Sequence, residues 1–318
     1  MVNPPNAHHN LACQSVDRKT VTRKLASMSH LGATAPRNVR IRRVLISILV
    51  ANAAVVVVKL VIGLRTGSLG VLGDAAHSSV DAMNNVLALV VVGVAARAPD
   101  EGHPYGHQKF ETLGALAIVG FLSISAFELV KGAIQRLAVG APSISVTPLQ
   151  FGFLLATLVV NVVVASYETR QGKQLSSEIL LADAAHTRAD VFVTIGVLSG
   201  VMLARLGVNW ADSVVALAVA AVIVALAYGI VARSIPVLVD QHVVPSEIIR
   251  MLAESVSGVS SAYDIRSRGS DYRAFAELTI AVKRGTTVED GHEVADAVER
   301  QLRSQLQLHE IIVHVEPC

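Results

Sequence analysis

Two stretches of this chain carry the same reactive groups at the same spacing. Leu72-Gly73-Asp74-Ala75-Ala76-His77-Ser78-Ser79-Val80-Asp81 is matched much later by Leu181-Ala182-Asp183-Ala184-Ala185-His186-Thr187-Arg188-Ala189-Asp190, with Asp, His and Asp at equal offsets. Both lie in long apolar segments. At about 100° per residue, positions i, i+3 and i+7 share one helix face, so each copy projects two carboxylates and an imidazole along a single stripe. An ionisable group at membrane depth costs roughly 2.5–3.5 kcal/mol on insertion scales and is rare without a task. Two matching stripes make a site.

His and Asp four residues apart on one face can bind one cation. The pairs His77/Asp81 and His186/Asp190 from facing helices would supply two imidazole nitrogens and two carboxylate oxygens. That is a closed tetrahedral set suited to Zn²⁺. It contains no thiolate, and a His/Asp set suits a site that must release its metal. The plainer alternative is a set of buried hydrogen bonds between helices. Asp74 and Asp183 precede their histidines by three. Each is an acceptor that fixes the imidazole or relays a proton, or else makes only a helix-local hydrogen bond. Arg188 lies some 200° round the helix from His186, which suggests a structural ion pair or a cytoplasmic-facing position. The loop Asp100-Glu101-Gly102-His103-Pro104-Tyr105-Gly106-His107-Gln108-Lys109-Phe110-Glu111 adds a second candidate. Asp100, His103 and His107 either converge on another metal or belong to an ordinary polar loop.

Six apolar runs of roughly 20 residues or more position these groups. They cover about 41–64, 69–96, 110–137, 148–167, 179–206 and 212–235. Within the first, Lys59 lies near the far end and is expected to snorkel to the interface, whereas Asn52 sits deeper and needs a hydrogen-bond partner. The chain has 318 residues, 52% hydrophobic and 16% charged, with a mean hydropathy of +0.53. A soluble domain carries about a quarter charged residues, so the reading is a membrane protein with a polar appendage. A net charge of +2 is too small to suggest a nucleic-acid partner.

Residues 1–40 are rich in Asn, Pro, Ser and basic side chains and read as a disordered basic cytoplasmic arm. His8, His9 and His30 there read as parts of a solvated tail. Arg18, Lys19, Arg23, Lys24, Arg37, Arg40, Arg42 and Arg43 face a single acid, Asp17, before the first span. The connections at 97–109 and 168–178 are also basic, with Arg97, Lys109, Arg170 and Lys173. The positive-inside rule then places both termini in the cytoplasm, consistent with an even number of spans. Cys13 and Cys318 are isolated, forming neither a disulfide framework nor a C-x-x-C motif, which fits a reducing compartment.

After the 41–235 transmembrane domain, residues 236–318 change character. A helix is expected over 246–256, strands over 259–267 and 272–282, a helix over 287–306 with Val288, Val294, Val298 and Leu302 as core positions, and a last strand over 311–316. The order αββαβ makes a small α+β, metallochaperone-like domain that is marginal alone and expected to dimerise.

Together the duplicated D-x-x-H-x-x-x-D in spans two and five, the loop His103-Pro104-Tyr105-Gly106-His107-Gln108-Lys109-Phe110-Glu111, the six spans and the αββαβ tail ending His314-Val315-Glu316-Pro317-Cys318 resemble the cation diffusion facilitator family. The likeness runs from about residue 38 to 318 and is nearest to the ferrous-iron/zinc efflux branch. It implies a homodimeric exporter of divalent transition metals in exchange for protons, in a bacterial inner membrane, with metal as substrate and possible regulator rather than cofactor. By position, His77, Asp81, His186 and Asp190 match its transport site, and Asp100, His103 and His107 match its loop site. Lys109 and Asp240 match a pair that interlocks two subunits at the membrane surface. His292, His314 and Glu316 match part of a cytoplasmic two-metal site. Tyr263 and Thr279 stand where that branch has two further histidines, so at most one metal is expected there, helped by Asp240 or His242.

Zinc is the first expectation for the cargo, with Fe²⁺, Co²⁺, Cd²⁺ and Mn²⁺ as relatives. Two other classes compete. A membrane metal sensor or scaffold would keep the sites without cycling. An intramembrane metalloprotease would need H-E-x-x-H, and its candidate, His292-Glu293, has Asp296 at i+4 and lies in the tail.

Overall fold

The computed structural model describes residues 37–66, 69–139, 148–205, 210–270 and 272–318. The side chains of Asp74 and His77 and nearly all of the arm (1–36) lie outside what is described. The chain divides into two compact units, one of residues 35–246 with 266–275, the other containing 247–265 with 276–318.

Six helices build the first unit: α1 (Arg37–Thr66), α2 (Leu69–Ala95), α3 (Lys109–Val139), α4 (Pro148–Gln174), α5 (Glu178–Arg205) and α6 (Ala211–Leu238). A helix covers each expected span, and several run further than the apolar runs alone indicate, taking in polar ends such as residues 37–40 of α1 and 168–174 of α4. Among the described residues, five are long and apolar enough to cross a membrane. The exception is α5, whose 28 residues rise about 42 Å at 1.5 Å per residue. That is ample to span, but Glu178, Asp183, Arg188 and Asp190 interrupt its apolar character.

Small residues bring the helices together. Ala88, Ala115, Ala182, Ala185, Ala189 and Ala227 sit in one core with Ile41, Leu45, Ile118, Leu122, Ile179, Ile223 and Ile230, as expected where packing rather than hydrophobicity drives helix association. A close approach repeats in the two hairpins that carry the stripes. A Cβ on Gly63 of α1 would stand 2.7 Å from Leu72 Cδ2, and one on Gly172 of α4 would stand 2.9 Å from Leu181 Cδ2. At one end of the bundle, Arg37 grips Glu111 at 2.9 Å and 3.2 Å and donates to Leu175 O at 2.7 Å. Ser177 Oγ also donates to Glu111, so α1, α3 and the start of α5 are tied to one carboxylate.

Two expectations for buried side chains change. Lys59 does not snorkel: it is 3% exposed, and its ammonium turns into the bundle and donates to Ser78 Oγ on α2 at 2.8 Å. Arg188 makes no ion pair among the described residues; it donates to Thr169 Oγ1 on α4 at 2.6 Å.

The tail forms α7 (Ser246–Glu254), β1 (Ser261–Ser270), β2 (Arg273–Val282), α8 (Val288–Leu306) and β3 (Glu310–Pro317), with strand order β1-β2-β3. Thr287 caps α8 by accepting from Asp290 N at 3.1 Å, and Gln307 closes it in the left-handed conformation. Leu278 and Ile280 of β2, Ile249 of α7, Val298 and Leu302 of α8 and Ile311 of β3 are buried. Val288, expected in this core, is 92% exposed. It occupies the first turn of α8, before the helix reaches the sheet.

Candidate metal centres

The duplicated stripes put the chemistry on α2 and α5, which pack against each other in the bundle. Asp81, His186 and Asp190 each offer a ligand atom, and all three atoms lie within 4.8 Å of one another. His186 Nε2 stands 3.3 Å from Asp81 Oδ1 and 3.9 Å from Asp190 Oδ2. One imidazole nitrogen therefore faces a carboxylate from the other helix and one from its own next turn, as the i, i+4 spacing requires. His186 Nδ1 is buried without a hydrogen-bond partner among the described residues. His77 belongs to α2, four residues before Asp81, but its side chain lies outside the described residues.

Behind these three groups runs a polar chain that crosses the bundle. Asn52 Nδ2 on α1 donates to Asn85 Oδ1 on α2 at 2.7 Å, and Asn85 Nδ2 donates to Asp183 Oδ2 on α5 at 2.8 Å. Asn52 thus has the partner its depth demands. Asp183 is held by an interhelical amide, and its backbone carbonyl also accepts from Thr187. Asn84 Nδ2 lies 3.1 Å from His186 Nε2, a contact whose sense depends on the imidazole tautomer. Glu168 of α4 is fully buried; its Oε2 accepts from Thr187 Oγ1 at 3.1 Å, while Oε1 has no hydrogen-bond partner among the described residues. Asn84, Asn85 and Glu168 escaped the sequence reading, and Lys59 was expected at the interface. A signal was available: Asn52, Lys59 and Gly63 precede the first stripe by the same offsets at which Asn161, Glu168 and Gly172 precede the second.

A cavity of about 210 Å³ opens beside the site, lined by Asn52, Lys59, Ser78, Asp81, Asn161, Asp190 and apolar neighbours. It has the size and polarity to admit a partly hydrated ion.

The loop between α2 and α3 gathers a second set. Asp100, His103 and His107 also offer atoms within 4.8 Å of one another. Asp100 Oδ1 accepts from His103 N at 2.7 Å and lies 3.2 Å from His103 Nδ1, while Asp100 Oδ2 lies 3.3 Å from His107 Nε2. The two imidazole rings are tilted by 41° with centroids 4.3 Å apart. The backbone N–H of His103 is the main cause that holds the Asp100 carboxyl below its ordinary pKa, with the nearby imidazoles assisting. Asp100 is therefore ionised, as a ligand must be. His107 is buried and its Nδ1 has no hydrogen-bond partner among the described residues.

The tail residues gather less. His314 Nε2 lies 3.4 Å from Glu316 Oε1, but His292 stands beside Asp296 at 3.9 Å and joins no three-ligand cluster with them among the described residues. Tyr263 donates to Glu316 Oε2 at 2.6 Å. Lys109 Nζ meets Asp240 Oδ1 at 2.9 Å within a single chain.

Comparison with known proteins adds what geometry alone does not. The family described as the cation efflux transmembrane domain matches residues 45–239, and that of the cation efflux protein cytoplasmic domain matches 245–318. The chain is similar to the uncharacterized transporter MJ0449 of Methanocaldococcus jannaschii, 30% identical over 278 residues, which cover 87% of this chain and 98% of that one. It is similar to the manganese efflux system protein MneS of Bacillus subtilis, 28% identical over 267 residues, covering 82% and 90%. The cation-efflux pump FieF of Salmonella agona is 27% identical over 273 residues, covering 84% and 89%. With a membrane half and a cytoplasmic half both matched in order, and with metal ions as cargo rather than cofactor, the chain belongs to the cation efflux (cation diffusion facilitator) family of integral membrane transporters, not to any class of enzyme.

Proposed function

We propose that this transporter exports divalent transition-metal cations, zinc foremost, in exchange for protons. The observation that carries the reading is the convergence of Asp81, His186 and Asp190 between α2 and α5, with His77 as the fourth ligand from the same stripe. Two carboxylates balance the ion's charge, and imidazole nitrogens favour zinc over a harder cation. Asp183, fixed by Asn85, orients or relays from behind, and Asp74 has the matching place on α2.

Coupling follows from ligand chemistry. A bound metal needs neutral imidazole and ionised carboxylate, and protons take the same groups when the metal leaves. Rocking of helix pairs about the site then exposes it to either face in turn. Asp100, His103 and His107 form a loop metal site, whereas His292, His314 and Glu316 form a reduced one in the tail. The tail holds two copies together, with the Lys109–Asp240 pairs close to their junction. The basic connections support cytoplasmic termini in a bacterial inner membrane, with 1–40 as an arm, 41–235 as the lipid-embedded domain and 236–318 as the dimerising domain.

Manganese is the second reading, because relatives from Bacillus subtilis carry manganese efflux in their names. The test is flux into liposomes over several metals with an imposed pH gradient. Zn²⁺ should move with a counterflow of protons, and Asp81→Ala or Asp190→Ala should abolish flux in an otherwise folded protein. Full flux from either variant overturns the four-ligand site. Wild-type protein that binds metal yet moves none is a sensor or scaffold.

A further inference from the structure

The stripe on α2 does not end at Asp81. His77, Asp81 and Asn84 stand at i, i+4 and i+7, so Asn84 falls on the same helix face, one turn beyond the carboxylate. In the second copy the matching place, seven residues after His186, is Val193, which packs against the core of the bundle. The fold therefore accepts an apolar side chain at this point of the repeat, and the amide on α2 is an addition to it. Ties between helices do not account for Asn84 either, because the chain from Asn52 to Asp183 runs through its neighbour Asn85. Asn84 is 2% exposed, and a buried amide in an apolar bundle is costly unless its polar atoms are used.

Its side-chain nitrogen lies 3.1 Å from His186 Nε2, the nitrogen that also faces Asp81 Oδ1 at 3.3 Å and Asp190 Oδ2 at 3.9 Å. Donors bound to one ion at about 2.0–2.2 Å stand about 3–3.5 Å apart. The Asn84 amide therefore keeps the spacing from the imidazole that the Asp81 carboxylate keeps. Turning the amide over about its last torsion exchanges Nδ2 for Oδ1 and brings a carbonyl oxygen to that place. We propose that Asn84 is an oxygen ligand of the transported cation and a determinant of which cations the site accepts. Zinc is complete with four donors. A cation that takes more, Mn²⁺ above all, gains from an added carbonyl oxygen. This rests on the transport site proposed above. The competing role is positioning alone, in which the Asn84 N–H does no more than hold the ring.

The experiment measures equilibrium binding of Zn²⁺ and of Mn²⁺ to the full-length protein in detergent by dialysis, with flux of both metals into liposomes beside it. The metal that Asp81→Ala no longer binds is that of the transport site. There Asn84→Ala should weaken Mn²⁺ about tenfold and Zn²⁺ by no more than about threefold, and the Mn²⁺/Zn²⁺ flux ratio should fall with it. Asn84→Asp keeps an oxygen but has no N–H to donate, and should hold Mn²⁺ at least as well as wild type. Positioning alone predicts the opposite: equal losses for the two metals in Asn84→Ala, and the same losses in Asn84→Asp. Either result overturns the proposal, as does an Asn84→Ala variant that loses more Zn²⁺ than Mn²⁺ or loses neither. If Asn84→Ala does not fold, Asn84→Val, which copies the second stripe, makes the same comparison. Wild-type binding of both metals by Asp81→Ala defeats the transport site itself, whereas metal lost there with equal effects in Asn84→Ala defeats only the role of Asn84.

Discussion

Asn85→Ala should destabilise the bundle and impair transport together, because one side chain joins three helices behind the proposed cation site. Its carbonyl oxygen accepts from Asn52 at 2.7 Å and its amide donates to Asp183 at 2.8 Å. Asn85 is 2% exposed and Asp183 is 1% exposed, so no water takes over either bond. A neutral hydrogen bond contributes about 0.5–1.5 kcal/mol and one to a charged group about 1.5–3 kcal/mol, so the two together amount to about 2–4.5 kcal/mol. At about 2–4 °C per kcal/mol for a domain of comparable size, the melting temperature should fall by roughly 4–18 °C. The assay is thermal unfolding of the full-length protein in detergent, with Zn²⁺ flux measured in parallel at a temperature where the variant is folded. Asn85→Asp provides an internal check. It keeps the shape and the acceptor for Asn52, but turns a carboxylate towards Asp183, and should be worse than alanine when both acids are ionised. An Asn85→Ala protein that melts with wild type would refute the view that this chain ties α1, α2 and α5. Normal stability with lost flux would assign the chain to function alone.

Gly172→Ala should cost about 1–3 kcal/mol by overpacking, since the new Cβ would stand 2.9 Å and 3.0 Å from the Leu181 side chain and 3.2 Å from its backbone nitrogen; detergent melting checks this, and an unshifted midpoint refutes it. In the tail, the Tyr263 phenol is held above its ordinary pKa chiefly by its hydrogen bond to Glu316. The bond therefore contributes at all pH values below the ordinary phenol range and is lost as pH rises through the raised value. A phenolate titration followed by absorbance should show a late component in wild type that Tyr263→Phe removes, and no late component would show that the bond does not form in solution.

The sequence made the spans and both three-ligand clusters legible, for a physical reason. A helix repeats every 3.6 residues, so i, i+4 spacing places His186 and Asp190 on one face without knowledge of the neighbours. The loop cluster was readable because His103 and His107 lie close to Asp100 in the chain. The groups that escaped are those whose partners lie on another helix. Position along the span alone suggested an interfacial Lys59, but Ser78 on α2 captures it. Asn85 and Glu168 likewise look like isolated polar residues until α5 supplies Asp183 and Thr187. His292 is the reverse case: its type invited a role beside His314 and Glu316, yet α8 sets it next to Asp296.

The internal repeat explains why these oversights belong together. The α1–α2 and α4–α5 hairpins share a glycine–leucine contact, a hydroxyl after the histidine with a buried charged partner on the preceding helix, and an asparagine lining the central cavity. Related by an odd number of spans, they must face the membrane in opposite directions, an arrangement that gives a transporter two comparable packings about one midplane site. If the copies were identical, the two packings would hold a cation alike, and nothing in the site would distinguish loading from release. Sequence differences between the copies break that equivalence. Asp81 and Asp190 are the same residue in both copies, and His186 repeats His77, so these four proposed ligands do not differ. Lys59 and Glu168 do: both are buried, and one copy carries a basic residue where the other carries an acidic one.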